Sequence, residues 1–304
     1  MTTIGITGAS GFVGTALAAR LRNSGHDVLR FVRGDATAVD AIRWEPATGS
    51  IDMAKAATLD AVVHLAGENV AAGRWSAPRM QAIRDSRGPA TEKLCRSLAA
   101  LRRPPVLVSA SAIGFYGHRG DEVLDEGSAP GSGFLPEVAV AWERATAPLE
   151  ARAARVCHLR IGMVLGKGGG ALDKMVLPFR LGLGGPLGTG KQWTSWIALD
   201  DLCSAIVFLL EDQVARGDFL GVSPQPVTNR DFTKALAAAL HRIAVLPVPA
   251  FALRLLFGEM AEAVLLGSQR AVPRRLLEAG FQFAHPEIGA ALRSILSGSA
   301  AARS

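Results

Sequence analysis

The chain begins with a short apolar run containing Ile4 and Ile6, which predicts a buried strand. Within a few residues it passes into Thr15-Ala16-Leu17-Ala18-Ala19-Arg20-Leu21, where apolar positions recur at helical spacing. The alternation then repeats. Asp27-Val28-Leu29-Arg30-Phe31-Val32 predicts a second strand, Ala41-Ile42-Arg43-Trp44 a third of edge type, and Leu59 to Gly67 a fourth that ends in small residues. A helical pattern covers about residues 76–101, broken near Pro89 and stopped by Pro104-Pro105. Val106-Leu107-Val108-Ser109 opens a fifth strand, a helix follows over about 135–154, and Arg155 to Ile161 reads as a sixth strand. Successive βα units of this kind predict an α/β fold with a parallel, doubly wound sheet. Beyond Val164 the texture changes to glycine-rich stretches at 166–170 and 182–190, followed by Trp193 and Trp196. Asp200 and Asp201 are placed to cap a helix running through Leu210. The last 60 or so residues read as mostly helical, with Pro247, Pro249 and Pro273 as helix starts.

The first strand and helix are joined by Thr7-Gly8-Ala9-Ser10-Gly11-Phe12-Val13-Gly14. Strand, glycine turn and helix together present free backbone N–H groups and the positive end of a helix dipole, an arrangement suited to a pyrophosphate. Gly8 turns the chain sharply, Gly11 admits the phosphates to the backbone, and Gly14 lets the helix pack close to the sheet. The spacing is GxxGxxG, not the commoner GxGxxG. The expected fold is therefore a Rossmann dinucleotide-binding domain over residues 1–165. A smaller, mostly helical substrate domain occupies 166–304, with segments near 198–222 returning to the sheet. After the second strand comes Arg33, where an NAD site would carry an acid for the ribose hydroxyls. An arginine there either points to solvent or pairs with a 2′-phosphate, and the second reading predicts NADP(H).

Composition narrows the remaining classes. The 304 residues are 49% hydrophobic, enough for a sizeable core, and the net charge is +6. Of the 33 basic residues six are lysine, and no basic run is interleaved with aromatics, so nucleic acid is not an expected partner. Met1-Thr2-Thr3 leads straight into a strand without a basic leader, and no run of about 18 uncharged apolar residues occurs. No signal peptide and no membrane partner are expected. Cys95, Cys157 and Cys203 are odd in number and far apart, which suits free thiols in a reducing cytoplasm. The six histidines are scattered, so no metal site is expected, and no GxSxG elbow is present for a serine hydrolase. Trp193 and Trp196 are either liners of a substrate cleft or core residues.

The motifs, taken together, resemble the extended short-chain dehydrogenase/reductases. They are Gly8-x-x-Gly11-x-x-Gly14, His64-Leu65-Ala66-Gly67, the serine-rich strand end with Tyr116-Gly117, and Leu159-Arg160. Glu68-Asn69, Ser86-Arg87, Trp142-Glu143, the run from Leu177 to Pro186 and Gly267-Ser268-Gln269-Arg270 resemble more closely the "epimerase family protein" group within them. The resemblance covers nearly the whole chain and implies an NADP(H) site. In it Ser10, Gly11, Phe12 and Val13 line the pyrophosphate and Arg33 the 2′-phosphate. Leu65, Ala66 and Glu68 line the adenosine side, Arg87 reaches the cofactor, and Val164 lies near the nicotinamide.

One departure stands out. The superfamily's Tyr-x-x-x-Lys pair is absent from the helix after the fifth strand, which reads Phe134-Leu135-Pro136-Glu137-Val138-Ala139-Val140-Ala141-Trp142-Glu143. Bringing a phenol from pKa about 10 to near 7 takes roughly 4 kcal/mol of phenolate stabilisation, much of it normally supplied by that lysine. Ser111 matches the position of the family's serine and Tyr116 is the only tyrosine, so these two are the catalytic candidates, each with a packing role as its alternative. The expected function is an NADP(H)-dependent oxidoreductase of atypical short-chain type acting on a small carbonyl or alcohol. The alternatives are a non-catalytic NADP(H) sensor and a nucleotide-sugar epimerase or dehydratase.

Overall fold

The computed structural model describes residues 1–34, 37–244 and 246–297. Eight strands form the central sheet: β1 (Thr3–Thr7), β2 (Asp27–Val32), β3 (Ala41–Glu45), β4 (Ser50–Ile51), β5 (Ala61–His64), β6 (Val106–Ala112), β7 (Val156–Ile161) and β8 (Gly217–Gly221). Their order is β8-β7-β6-β5-β1-β2-β3-β4, parallel throughout except for the β3–β4 pair. The chain winds outward from β1 through β2 and β3, then returns and winds the other way from β5. The crevice outside the carboxyl ends of β1 and β5 is thus the switch point at which doubly wound sheets bind ligands. β3 is not the edge as the sequence suggested, because the two-residue β4 pairs antiparallel beyond it at Trp44↔Ile51.

The longer helices are α1 (Phe12–Asn23), α2 (Ala77–Asp85), α3 (Gly88–Ala99), α4 (Phe134–Arg144), α5 (Gly170–Arg180), α6 (Leu199–Glu211), α7 (Asn229–Ala239), α8 (Ala250–Phe257) and α9 (Ile288–Ser297). Period-two alternation sorts the strand residues between two cores. Ile4, Ile6 and Val63 join Leu17, Leu21, Leu202 and Ile206 of α1 and α6 on one face. Phe31, Trp44, Val62 and Leu107 join Leu94 and Leu98 of α3 on the other. All three cysteines are buried free thiols, and burial raises Cys95 and Cys203 to about 12 and Cys157 to about 11, which leaves them inert.

The helical pattern over 76–101 breaks close to Pro89 as its sequence predicts, and the helix predicted as continuous over 135–154 is broken as well. The first splits between α2 and α3 at Ser86 and Arg87, and the second ends at Arg144 before the short helix Ala147–Glu150. In both cases a proline at the start of the next segment lacks the N–H that continuation requires. The capping role expected for Asp200 and Asp201 also differs. Both lie inside the first turn of α6, and Asp201 is buried, accepting hydrogen bonds from Ala284 N (2.8 Å) and His285 N (2.9 Å). It anchors the C-terminal segment to the Rossmann layer. That segment shares a third core with α5, α7 and α9, built on Leu172, Phe179, Phe232, Leu236 and Leu292.

Candidate functional site

The glycine turn has the geometry that its spacing implies. Gly8 sits at φ +67°, and a Cβ there would stand 3.0 Å from Ala66 N on the neighbouring loop. Gly11 N–H closes the turn on Gly8 O at 2.9 Å. A Cβ on Gly14 would lie 2.2 Å from Gly8 O, so only glycine lets α1 approach this closely. The first turn of α1 carries no capping side chain and no acid, which leaves the amides of Phe12, Val13 and Gly14 for an anion. Ser10 is exposed beside them. The Phe12 ring is packed by the backbone of Gly166, Gly169 and Gly170, where any Cβ would come within 3 Å of it. The glycine-rich connection after Val164 therefore lies over the start of α1.

The opposite wall of the crevice is the extended stretch Leu65-Ala66-Gly67 after β5. It is held by a buried polar chain that the sequence did not disclose. Leu65 N and Ala66 N both donate to Thr7 Oγ1, at 3.0 and 3.2 Å. With both lone pairs engaged, that hydroxyl donates to His64 Nδ1 at 2.8 Å, so Nε2 carries the ring proton and donates to Thr91 Oγ1 at 2.8 Å. Burial, with Arg87 adding to it, pulls the His64 pKa down to about 4 and keeps the ring neutral. The only sequence signal for this lock was His64 itself, a polar residue ending an apolar strand.

Two cations border the crevice without carboxylate partners among the described residues. Arg33 is exposed just past β2, whereas Arg30 is committed to Asp40 at 2.8 and 2.9 Å. Arg87 stands under Gly67, donates to Glu68 O at 2.9 Å and lies 4.9 Å over the Trp142 ring. Burial lowers its pKa to about 10 against the opposing charge of Glu68. Glu68 itself is exposed, and its N–H donates to Ser86 Oγ at 3.0 Å. Val164 is half-buried in the short strand Met163–Leu165. An open groove of about 950 Å³ runs along α1 from Ser10 to Arg22, Arg30 and Asp40, and its two arginines are both neutralised by Asp40.

Ser111 and Tyr116 are brought together, but inside a buried network. Ser111 Oγ donates to Glu143 Oε1 at 2.6 Å. Arg160 grips both Glu143 oxygens (2.8 and 2.9 Å) and Asp218 Oδ2 (2.7 Å), and donates to Tyr116 Oη at 3.0 Å. Tyr116 Oη in turn donates to Asp125 O at 2.8 Å, the side chain has no exposed surface, and burial pushes its pKa up to about 12. His158 closes the network on Asp218 (2.9 Å) and Thr146 (2.9 Å). Glu143, His158 and Asp218 form a metal-like trio by distance, but the Arg160 guanidinium already bridges its two carboxylates. In α4 the i, i+4 positions Phe134 and Val138 are both buried, packed with Trp75 and Met260. Of the two tryptophans left open above, Trp196 is core, with Nε1 bonded to Gln225 O, whereas Trp193 is half-buried and bonded to Asp121. Gly267-Ser268-Gln269-Arg270 staples the molecule. Ser268 bonds Gly120 O and Trp193 N, and Gln269 bonds Gly117 O.

The sheet order, the glycine turn and the crevice define a Rossmann-type dinucleotide-binding fold with a helical C-terminal region. The chain belongs to the NAD dependent epimerase/dehydratase family, whose model matches residues 4–220. A domain of unknown function, DUF1731, matches residues 248–295. An epimerase family protein of Mycobacterium tuberculosis is 43% identical over 289 residues, covering 95% of this chain and 96% of its own. The human epimerase family protein SDR39U1 is 36% identical over 296 residues, covering 96% and 99%. A crystal structure of that human protein with NADPH superposes with a TM-score of 0.88 at 34% identity, covering 97% of this chain and 99% of that one. A Corynebacterium glutamicum structure described as a nucleoside-diphosphate sugar epimerase superposes with a TM-score of 0.81 at 36% identity, covering 97% and 58%. Among the described residues no helix is long and apolar enough to cross a membrane.

Proposed function

We propose that this protein is an NADP(H)-dependent oxidoreductase of atypical short-chain type, acting on a small carbonyl or alcohol. The observation that carries the reading is the crevice itself: an uncapped, acid-free helix start beside two cations that, among the described residues, lack carboxylate partners. NADP(H), when bound, supplies or accepts a hydride at its nicotinamide ring. The residues fit such a group. Ser10, Gly11, Phe12 and Val13 would hold the pyrophosphate against the α1 amides, with Gly8 and Gly14 keeping the turn open. Arg33 would pair with the 2′-phosphate. Leu65, Ala66 and Glu68 would line the adenosine side, Arg87 would offset negative charge from below, and Val164 would bound the nicotinamide end. The NADPH in the human relative's structure supports the choice of cofactor.

Ser111 and Tyr116 enter this proposal as positioning residues. Their hydroxyls are spent on Glu143 and Asp125, and through Arg160 they brace the ends of β6 and β7. The proton for the carbonyl oxygen then comes from solvent. A sensor of NADP(H) state is the second reading, favoured by the exposed Leu177, Leu181, Phe251 and Leu255 in the C-terminal region. Nucleotide-sugar epimerisation ranks below both, because it needs an efficient base and α4 carries neither tyrosine nor lysine.

Binding of NADPH and NADH to the purified protein, followed by a carbonyl screen, tests the proposal. Arg33→Ala is expected to lower the NADPH-to-NADH affinity ratio by roughly 10- to 150-fold, the worth of a charge-assisted pair of about 1.5–3 kcal/mol. An unchanged ratio removes the 2′-phosphate assignment. Tight NADPH binding with no turnover on any carbonyl or alcohol moves the weight to the sensor.

A further inference from the structure

The stretch Gly267-Ser268-Gln269-Arg270 ends on a side chain that its staple does not use. Ser268 and Gln269 supply the bonds, whereas the Arg270 guanidinium has, among the described residues, neither a hydrogen-bond acceptor nor a carboxylate in ion-pair range. Every other buried or half-buried arginine of the described chain has an acceptor. Arg30 has a carboxylate, Arg79, Arg87, Arg155 and Arg275 have carbonyls, and Arg119 and Arg160 have both. Arg270 is instead half-buried with its guanidinium over the Trp193 ring, 4.2 Å from the centroid. Trp193 is itself fixed on three sides. Its N–H donates to Ser268 Oγ at 2.9 Å, its carbonyl accepts from Gln269 N at 3.2 Å, and Nε1 donates to Asp121 at 2.8 Å. The acids of the adjoining loop are engaged elsewhere, Asp121 by this indole and Glu122 by Arg119 at 2.6 and 2.8 Å. Stacking covers a face of the guanidinium and leaves its N–H groups, which lie in the plane, free to grip a planar two-oxygen acceptor.

The stack belongs to the carboxyl end of the sheet. Ala271 is fully buried beside Tyr116 and Leu220, so alternation along the short strand Arg270–Ala271 turns Arg270 away from that core. Gln269 Nε2 donates to Gly117 O at 2.8 Å, five residues past the carboxyl end of β6. Trp193 stands three residues before the strand Trp196–Ala198, which pairs with Met163–Leu165 at Ile197↔Val164, just past the carboxyl end of β7. In the sheet order β6 and β7 lie on the other side of β1 from β2, so Arg270 is flanked by segments remote from Arg33 and on the side of Val164. We infer that Arg270, stacked on Trp193, binds a carboxylate of the substrate, so that the small carbonyl or alcohol is an oxo acid or hydroxy acid. This rests on the oxidoreductase reading above, and it names the substrate class.

The test titrates pyruvate, 2-oxooctanoate, phenylpyruvate and levulinate, each beside its methyl ester, into the full chain loaded with NADP+, which cannot reduce them. Saturable binding of at least one acid is expected, with its ester at least tenfold weaker. Arg270→Gln should raise the Kd of that acid roughly 10- to 150-fold and leave that of the ester unchanged. Arg270→Lys, which keeps the charge but not the fork, should recover only part of the loss. Acid and ester bound alike, or an acid bound equally by the wild type and Arg270→Gln, overturns the inference. So does a joint loss of acid, ester and NADPH binding in both variants, the signature of a merely structural arginine. Binding of methyl phosphate in preference to every acid overturns it as well, by making the recognised group a phosphate. The comparison of acid with ester on the wild type needs no variant to fold. NADPH affinity measured on the same samples separates the two proposals. Its absence in the wild type defeats the cofactor reading, whereas tight NADPH binding with no acid preferred to its ester defeats only the carboxylate.

Discussion

At the residue scale, small changes in atom count decide the crevice. Gly14 has no room for one carbon, because that carbon would overlap the Gly8 carbonyl, and Gly8 has the backbone sign that side chains resist. His64 illustrates the converse, a polar side chain fully buried because both its nitrogens are satisfied. Its pKa of about 4 lies below the ordinary 6.5, so the unfolded chain binds the proton more readily than the folded one. The stability this contributes is complete above about pH 6.5 and declines as pH falls toward 4. By pH 4.5 the loss amounts to about 2–3 kcal/mol. Urea denaturation at pH 7.5 and 4.5 should show a drop that is smaller by that amount in His64→Gln. Identical drops in the two proteins would mean the ring is not held neutral.

At the element scale, the departures from simple periodicity are where the chain is joined to itself. The break between α2 and α3 puts Arg87 beneath Gly67, which a continuous helix would not do. The start of α6 spends Asp201 on the backbone of residues 284 and 285 instead of on its own cap. Asp201→Asn, which replaces one acceptor by a donor facing an N–H, should cost about 1–3 kcal/mol. Hydrogen exchange should then accelerate over residues 281–287 while β1 and α1 stay protected. Uniform acceleration across the molecule would indicate global loosening and not a lost anchor.

At the scale of the whole molecule, the parallel sheet supplies a rigid edge and the C-terminal region closes over one side of it. The Ser268 staple and the glycines packed on Phe12 cross from the later half of the chain to the earlier one, and the Asp201 anchor ties residues 284 and 285 to the start of α6. Because ligand binding to the folded state alone stabilises it, NADPH at 100 times its dissociation constant should add about 2.7 kcal/mol. The melting temperature should rise with NADPH and much less with NADH at equal concentration. Equal shifts would argue against the role given to Arg33.

The strand and helix succession, the glycine turn and the cation after β2 were legible because each is a local pattern, set by period, spacing or a neighbour in sequence. Sheet order and the antiparallel β4 were not, since two residues such as Ser50 and Ile51 carry too little periodicity to declare a strand. The same holds for Ser111 and Tyr116, whose identities suggested chemistry. Their occupation depends on Glu143, Arg160 and Asp218, which lie up to 107 positions from Ser111 and meet only in space. By itself the sequence determined that a dinucleotide-type crevice would form. Only the tertiary structure decided which polar groups would face it, because hydrogen-bond satisfaction in a buried network is a property of the packed whole.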